Sequence, residues 1–216
     1  MYKRQTPDRF ISLEDNGAAA DIFERKWHSG IKTDIAFVHQ DNPITPKDGF
    51  LVTGEFSWQT NIDNSSDDNF TTFGATIAGY KSLDAKRNFV LASRLGTQLI
   101  RGDFDFFFAP TLGQDENFRG LFSQRYRGET TFFHNTDLRI HCGNSDNPIL
   151  PFSFGLTGSF DYGRVWSDAD AEDSDLWHRS FGGGIWFVPL NLAVISFNYH
   201  KSDEDTRLMI RVGHFF

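Results

Sequence analysis

The chain has 216 residues, a formal net charge of −8 and a single cysteine, Cys142. The negative charge argues against a nucleic-acid partner, and one cysteine excludes an internal disulfide. No stretch reaches the roughly 18 apolar residues of a transmembrane helix. Phenylalanine (24) and glycine (19) are abundant although the sequence is hydrophilic on average, which favours strands whose two faces meet different solvents.

The N-terminal region gives no sign of a secretory hydrophobic segment. Residues 1–5 (Met-Tyr-Lys-Arg-Gln) resemble the translation of a sequencing adaptor, and we interpret them as an artefact rather than a true start. An ordinary polar N-terminus is the alternative. Residues 6–30 form a poorly defined lead-in, to which Ala18–Trp27 could contribute one strand.

From Ile31 onward, the chain consists of segments in which apolar and polar side chains alternate. Because neighbouring side chains on a strand point to opposite faces, each segment has one apolar and one polar face. No segment has a sustained 3.6-residue periodicity, so the sequence predicts an all-β fold. The clearest apolar faces, in chain order, are Ile31, Thr33, Ile35 and Phe37; Phe50, Val52, Phe56 and Trp58; Phe89, Leu91, Leu95 and Leu99; Phe152, Phe154, Leu156, Phe160 and Tyr162; and Leu208, Ile210, Val212 and Phe216.

The length of the segments separates a membrane barrel from a soluble sandwich. Phe89–Ile100, Thr130–Cys142 and Pro151–Trp166 exceed the roughly five to six residues of soluble strands and suit the roughly nine to eleven of tilted membrane strands. Their polar faces carry charges and hydroxyls, which suits a wet lumen. A soluble lipocalin-like barrel remains the alternative, because alternation does not show which face is inside.

The connections also alternate between short turns and longer polar loops. The short turns are Asp41–Gly49, Lys81–Asn88 and Val188–Asn191, and the loops are Asn61–Asn69, Ile100–Arg127 and Ser202–Thr206. Outer-membrane barrels pair short periplasmic turns with longer external loops in this way. Gly143–Leu150 fits less well, because it is longer than a minimal turn. The acidic run Ser167–Asp175 predicts a solvated external loop rather than a calcium loop, since Asp173 stands at the glycine position of an EF-hand.

The longest connection contains Phe118-Arg119-Gly120-Leu121. This segment resembles the long loop of the BamA/TamA superfamily, the outer-membrane assembly factors with a bacterial surface antigen domain, to which two-partner-secretion transporters also belong. In that family the loop descends into the barrel and carries a hydrophobic-Arg-Gly-aromatic motif. Here Leu121 stands at the aromatic position, and Phe122 follows it.

Further segments resemble family features in the family's order between Ile31 and Phe216. They are a periplasmic turn (Asp41–Pro43 and Pro46–Phe50), the strand after the loop (Thr136–Arg139), the strand with an inward acid (Phe160–Gly163), a closing hairpin (Gly182–Gly184 and Pro189-Leu190) and a terminal aromatic residue (Phe216). Ser159 departs from the pattern, since the family usually has phenylalanine there. The resemblance implies that residues 31–216 are the C-terminal part of an antiparallel transmembrane β-barrel, truncated at its N-terminus, with about nine or ten of the family's sixteen strands.

The resemblance also implies a role for the loop arginine. Arg119 is expected inside the lumen, bonded first to Asp161 and second to Asp137, with Gly163 nearby. A guanidinium held by an inward carboxylate would anchor a long loop against its conformational entropy, and Gly120 would permit a tight turn beside it. In the alternative interpretation, Arg119 is a solvated loop residue and Asp161 an ordinary lumen charge.

Three functions fit these features. The first is insertion or assembly of outer-membrane proteins, or protein translocation, in the bacterial outer membrane. The second is a barrel that anchors or exports a periplasmic enzyme encoded upstream, patatin-like or a metallophosphatase, and the third is a passive porin. Upstream POTRA repeats would favour the first and a catalytic domain the second. The expected partners are outer-membrane lipid, lipopolysaccharide, client proteins and accessory periplasmic subunits. No catalytic motif or ligand spacing is present, so neither an enzyme, a cofactor nor a metal site is expected.

Overall fold

A computed structural model describes residues 27–62, 69–113, 116–167 and 177–216 of the chain. The predicted artefact at residues 1–5 and most of the lead-in lie outside the described residues. So do the centre of the loop after residue 61 and residues 168–176 of the acidic run.

Among the described residues, nine strands of 7 to 16 residues form one antiparallel sheet. Every strand pairs with its neighbours in the sheet order β1-β2-β3-β4-β7-β8-β9-β10-β11. Two short strands within the connection after β4, β5 and β6, pair with each other. The predicted all-β antiparallel architecture is confirmed. The strands are β1 (His28–Gln40), β2 (Gly49–Asn61), β3 (Asn69–Ser82), β4 (Phe89–Gly102), β5 (Thr111–Leu112), β6 (Tyr126–Arg127), β7 (Thr130–Ser145), β8 (Phe152–Trp166), β9 (His178–Pro189), β10 (Ile195–Ser202) and β11 (Thr206–Val212).

The two faces of the sheet differ as the alternation predicts. Large apolar side chains such as Ile77, Leu95 and Leu156 are exposed on the outer face, whereas the inner face buries alternate residues such as Asp137 and Asp161. In a soluble protein, so much exposed apolar surface would be costly. The exposed apolar face is the one that a lipid environment would cover.

The connections fall into two classes at opposite ends of the sheet. Residues 41–48, 83–88, 146–151 and 190–194 form one end, which we call the short-turn end. The opposite, long-loop end carries the connections after β2, β4 and β8, and the brief β10–β11 connection. The strand β7 continues past a bulge between His141 and Gly143 as far as Ser145, so the predicted long connection Gly143–Leu150 is wrong, and the true turn is as short as its neighbours.

Two of the short turns are tied together by Arg87. Its guanidinium binds Asp41 and also Asp48, the latter at 2.8 Å between Nη2 and Oδ2. Asp48 further accepts hydrogen bonds from the hydroxyl and the backbone N–H of Ser82. Within the β1–β2 turn, the side chain of Asn42 accepts from the backbone N–H of Ile44. The turn composition rich in Asp, Asn, Pro and Gly therefore produces a connected end of the sheet.

The C-terminal residues differ from the prediction. We expected a strand over Arg207–Phe216 with Phe216 on the outer face, but β11 ends at Val212. Gly213 has a φ of +109°, a conformation that glycine adopts without strain, and the chain turns there. Phe216 instead packs on the inner face against a buried cluster of Ala78, Tyr80 and Ala92. Burial of the aromatic ring and contact with arginine side chains favour this inward position.

No helix among the described residues has the length and apolar character needed to cross a membrane.

Candidate functional site

The connection between β4 and β7 folds against the inner face of the sheet. A short 3-10 helix (Phe106–Phe108) and the two-stranded pair of β5 and β6 give it internal structure. Asn117 closes the turn between them: its side-chain oxygen accepts from the backbone N–H of Gly113, and its amide donates to the carbonyl of Thr111. The backbone N–H of Phe118 also donates to the carbonyl of Gly113 at 3.0 Å. These local bonds fix the segment that precedes Arg119.

A row of polar residues crosses the inner face beneath this segment. Its members lie directly opposite one another in the registers of five adjacent strands, β4, β7, β8, β9 and β10. We call this set the polar row, and it consists of Arg94, Asn135, Asp161, Ser180 and Ser202. All five side chains point inward because they occupy equivalent positions of the alternation.

Arg119 is the centre of the contact between loop and sheet. Its Nη2 donates to Oδ1 of Asp161 at 2.6 Å and its Nε to Oδ2 of the same carboxylate at 2.9 Å, which makes a bidentate pair. Its Nη1 donates to Oδ1 of Asp137 at 2.6 Å. The side chain of Arg119 is 2% exposed, and those of Asp161 and Asp137 are 0% and 2% exposed. The structure thus places together the arginine and both of the carboxylates named from the sequence.

The loop main chain is bound along the same row. Asp161 accepts from the backbone N–H of Arg119 at 2.8 Å, so one carboxylate holds both main chain and side chain of that residue. Asn135 donates to the carbonyl of Asn117 at 2.9 Å, and Arg94 donates to the carbonyl of Glu116 at 3.1 Å. The inner face therefore binds the main chain of this turn-forming loop segment at three successive positions, and a side chain of the inner face makes each bond.

Gly120 completes the row at its far end. Its carbonyl accepts from the hydroxyl of Ser202 at 2.8 Å. It has a φ of +85°, and a Cβ atom placed on it would lie 2.5 Å from the hydroxyl oxygen of Ser180. Both the conformation and the close approach therefore require glycine at this position.

Apolar packing covers the loop beside the polar row. Phe118 and Leu121 of the motif join Leu112 and Phe133 in a buried cluster. Gly163 makes room for this cluster, since a Cβ atom on it would lie 3.0 Å from the side chain of Leu112. Leu121, which stands where the resemblance of the motif implies an aromatic residue, is buried, whereas the following Phe122 is exposed.

The electrostatics of the site follow from its burial. Burial alone would disfavour the charged guanidinium, but Asp137 and Asp161 raise the pKa of Arg119 above its ordinary value, so the guanidinium stays charged at physiological pH. Arg94 bonds the side-chain oxygen of Asn135 rather than a carboxylate. The ring of Phe215 lies over the Arg119 guanidinium, 4.5 Å from its centre.

The sequence did not identify Arg94, Asn135, Asn117, Ser180 or Ser202. Arg94 and Asn135 have the inward parity of Asp161, but only the register shows that the three are direct neighbours. Among the described residues, no group of three or more His, Cys, Asp or Glu side chains is placed to hold a metal ion. The arrangement is suited to fixing a loop.

The crystal structure of BamA from Haemophilus ducreyi lacking POTRA domains 1-3 is similar to this chain, with a TM-score of 0.60 and 14% sequence identity. The match covers 84% of this chain. The chain has a BamA-like β-barrel fold. It matches 40% of the length of its structural neighbour, and no protein-family model or curated protein sequence matches it.

Proposed function

We propose that the chain is part of a barrel in the bacterial outer membrane that assists the insertion and assembly of outer-membrane proteins, or the translocation of proteins. The observation that carries this proposal is the binding of residues 116–120 along the polar row, centred on the Arg119–Asp161 pair. It is supported by the BamA-like fold. The proposed role is not enzymatic. Phe118, Arg119, Gly120 and Leu121 would act as the loop motif, with Asp161, Asp137 and Gly163 as their partners.

A passive porin is less well supported. Porins keep a water-filled channel, whereas here the loop fills the space beside β7 and β8 with buried apolar side chains, among them Phe118 and Leu121. The proposal therefore predicts low, intermittent conductance in planar bilayers. A large and steady conductance of the unaltered protein would favour the porin.

The proposal is tested in proteoliposomes that hold the purified full-length protein and receive an unfolded outer-membrane client. Folded client is measured by its heat-dependent migration on gels. Arg119→Ala is expected to lower the yield of folded client, because the loop loses its anchor. Arg125→Ala is the matched control, since Arg125 belongs to the same loop but its partner Glu204 lies at the partly exposed end of the site.

Two different outcomes would contradict the proposal. If the unaltered protein does not raise client folding above empty liposomes, the proposed function is wrong. If Arg119→Ala and Arg125→Ala assist the client as well as the unaltered protein does, the loop anchor is not part of the activity. An anchor or exporter for an upstream enzyme domain would show the first result.

A further inference from the structure

A small cavity with several cationic and histidine residues in its otherwise mostly apolar lining lies at the short-turn end, away from the polar row. Its volume is about 30 Å³, enough for roughly two water-sized groups. Side chains from the first two short turns, from β7 and β9 and from the segment after β11 line it. The lining residues that carry the argument are Lys47, Asn88, Arg139, His141, Trp186 and His214.

The charges around this cavity all have one sign. Lys47, Arg87 and Arg139 line it together with two histidines, and no carboxylate is among its lining residues. Arg87 is already neutralised by Asp41 and Asp48. The other two cations are Lys47 and Arg139, and Arg139 forms an ion pair with Asp137 at 3.4 Å.

Arg139 has an unusual environment for a buried arginine. Its side chain is 4% exposed, and its Nη2 donates to the carbonyl of Phe216 at 2.5 Å and to Asp137 at 3.4 Å. Asp137 is engaged more closely by Arg119, at 2.6 Å. Within the part of the chain that the structure describes, the Nε and Nη1 atoms of Arg139 have no hydrogen-bond partner. A buried guanidinium with free donors is costly unless an acceptor, and best an anion, completes its bonds.

His214 adds a neutral donor or acceptor to the lining. Burial and the nearby Arg139 lower the pKa of His214 to about 3, so its imidazole is uncharged at physiological pH. Its ring makes an edge contact with Trp186, at 5.7 Å between centroids. Asn88, whose side-chain amide can donate hydrogen bonds, is among the lining residues.

We infer that this cavity binds one small oxyanion with the chemistry of a carboxylate or a phosphate group. Arg139 supplies the charged donors, Lys47 a second positive charge, and Asn88 and His214 neutral hydrogen bonds. A ligand held by Lys47, Arg139 and His214 would connect the β1–β2 turn, β7 and the segment after β11. Binding would therefore hold the C-terminal segment against the inner face at the short-turn end.

Calorimetry on the purified protein in detergent, in a zwitterionic buffer, tests the site with sodium acetate and inorganic phosphate as separate probes. Saturable binding of at least one probe is expected, and the preferred probe distinguishes a carboxylate from a phosphate ligand. Arg139→Gln should weaken binding by more than about tenfold, because it removes a charge-assisted contact. Lys47→Gln should weaken it by about threefold, because Lys47 is only partly buried.

Lys81→Gln is the matched control. It removes the same charge at the same end of the sheet, from a largely exposed side chain outside the cavity, and should leave the affinity unchanged. Should Arg139→Gln fail to fold, Lys47→Gln compared with Lys81→Gln decides the question, since both alter accessible side chains. The inference is overturned if neither probe binds saturably in the millimolar range. It is also overturned if Lys47→Gln and Lys81→Gln bind the anion equally well and as tightly as the unaltered protein.

Discussion

Asp161 accepts hydrogen bonds from both the main chain and the side chain of Arg119, so this one residue fixes the position and the orientation of the loop motif. Asp137 accepts a single hydrogen bond from Arg119, donated by Nη1 of the guanidinium. Asn135 donates to Asp161 at 2.8 Å and orients its carboxylate. These side chains form one connected hydrogen-bond network. The effects of substitutions within it on the free energy of unfolding should therefore not be additive.

We predict that Arg119→Ala and Asp161→Ala each lower the free energy of unfolding by about 3–5 kcal/mol, because each leaves a buried charge without its partner. The double substitution should cost little more than either single one, since the same pair is already broken. Urea unfolding in detergent measures the three values, and limited proteolysis reports release of the loop. Arg125→Ala is the control: with side chains 30% and 22% exposed, its pair with Glu204 should contribute at most about 1 kcal/mol. Strictly additive losses would show that the pair is not a unit.

The second residue-scale prediction concerns Gly120. Gly120→Ala should destabilise the protein by about 1–3 kcal/mol, because alanine is strained at a φ of +85° and its methyl group would meet the Ser180 hydroxyl at 2.5 Å. Gly158→Ala, on β8, is the matched control, since a Cβ atom there meets nothing within 4 Å. Its effect on the same urea midpoint should be small. Equal stability of the two variants would mean that the loop readily moves off the row.

At the scale of elements, the paired short turns should respond to acid. Hydrogen bonds from the side chain and backbone of Ser82, with a smaller contribution from Arg87, lower the pKa of Asp48 from its ordinary 3.8 to about 2. A carboxylate with a lowered folded-state pKa stabilises the fold above its unfolded pKa and loses that contribution as the pH falls. The link between the turns should therefore be intact at pH 4 and above and should weaken from there down to about pH 2.

Carboxyl NMR shifts or hydrogen exchange of the turn amides can follow this titration. Ser82→Ala should move the transition to higher pH, because it removes the hydroxyl that donates to Asp48 at 2.9 Å. Asp48→Asn should abolish it. A transition that persists unchanged in Asp48→Asn would assign the acid response to another group, with Asp41 as the first alternative. Burial raises the pKa of Asp41, but hydrogen bonds from the backbone N–H groups of Lys47 and Asp48, together with Arg87, lower it by more.

The strands were predictable because alternation is a local property. The segments beginning at Phe89, Thr130 and Pro151 correspond to β4, β7 and β8 within a few residues at each end. The polar row was not predictable, because its members are neighbours only through strand register. Adjacent members are between 19 residues (Asp161 and Ser180) and 41 residues (Arg94 and Asn135) apart in the chain. The contact between Arg119 and Asp161 was expected without that register, because the resemblance of the loop motif implied it.

The C-terminal segment shows where local pattern misleads. Leu208, Ile210, Val212 and Phe216 share one parity, which predicted a strand through the last residue. The strand ends at Val212, because Gly213 has a φ of +109°, which lies outside the range of a regular strand, and alternation contains no information about that angle. Phe216 therefore lies on the inner face instead of the outer one, where its ring contacts the ring of Tyr80 and the guanidinium of Arg139.

The inner face around the loop has a local charge that differs from that of the chain as a whole. The chain has a net charge of −8, yet the described inner face around the loop brings Arg94, Arg119 and Arg139 together with only two carboxylates, Asp137 and Asp161. Aromatic rings of Phe215 and Phe216 cover these guanidinium groups in place of further acids. A cationic interior that is closed by aromatic rings and by the chain's own loop would suit a barrel whose lumen is occupied rather than open.

The membrane assignment predicts an alternating pattern of accessibility along β8. Leu156 and Phe160 are 48% and 43% exposed on the outer face, whereas Thr157 and Ser159 face inward. Spin labels placed singly at these positions, in a Cys142→Ser background, should relax strongly with the lipid-soluble quencher oxygen at 156 and 160 and weakly at 157 and 159, in protein reconstituted in bilayers. A polar nickel chelate is the second reagent, and it should relax the labels at 156 and 160 only weakly. Oxygen concentrates in hydrocarbon and the chelate does not, so this pattern would show that one face of the strand contacts lipid. If residues 156 and 160 are instead shielded from both reagents, the apolar face packs inside a soluble core, and the outer-membrane assignment fails with it.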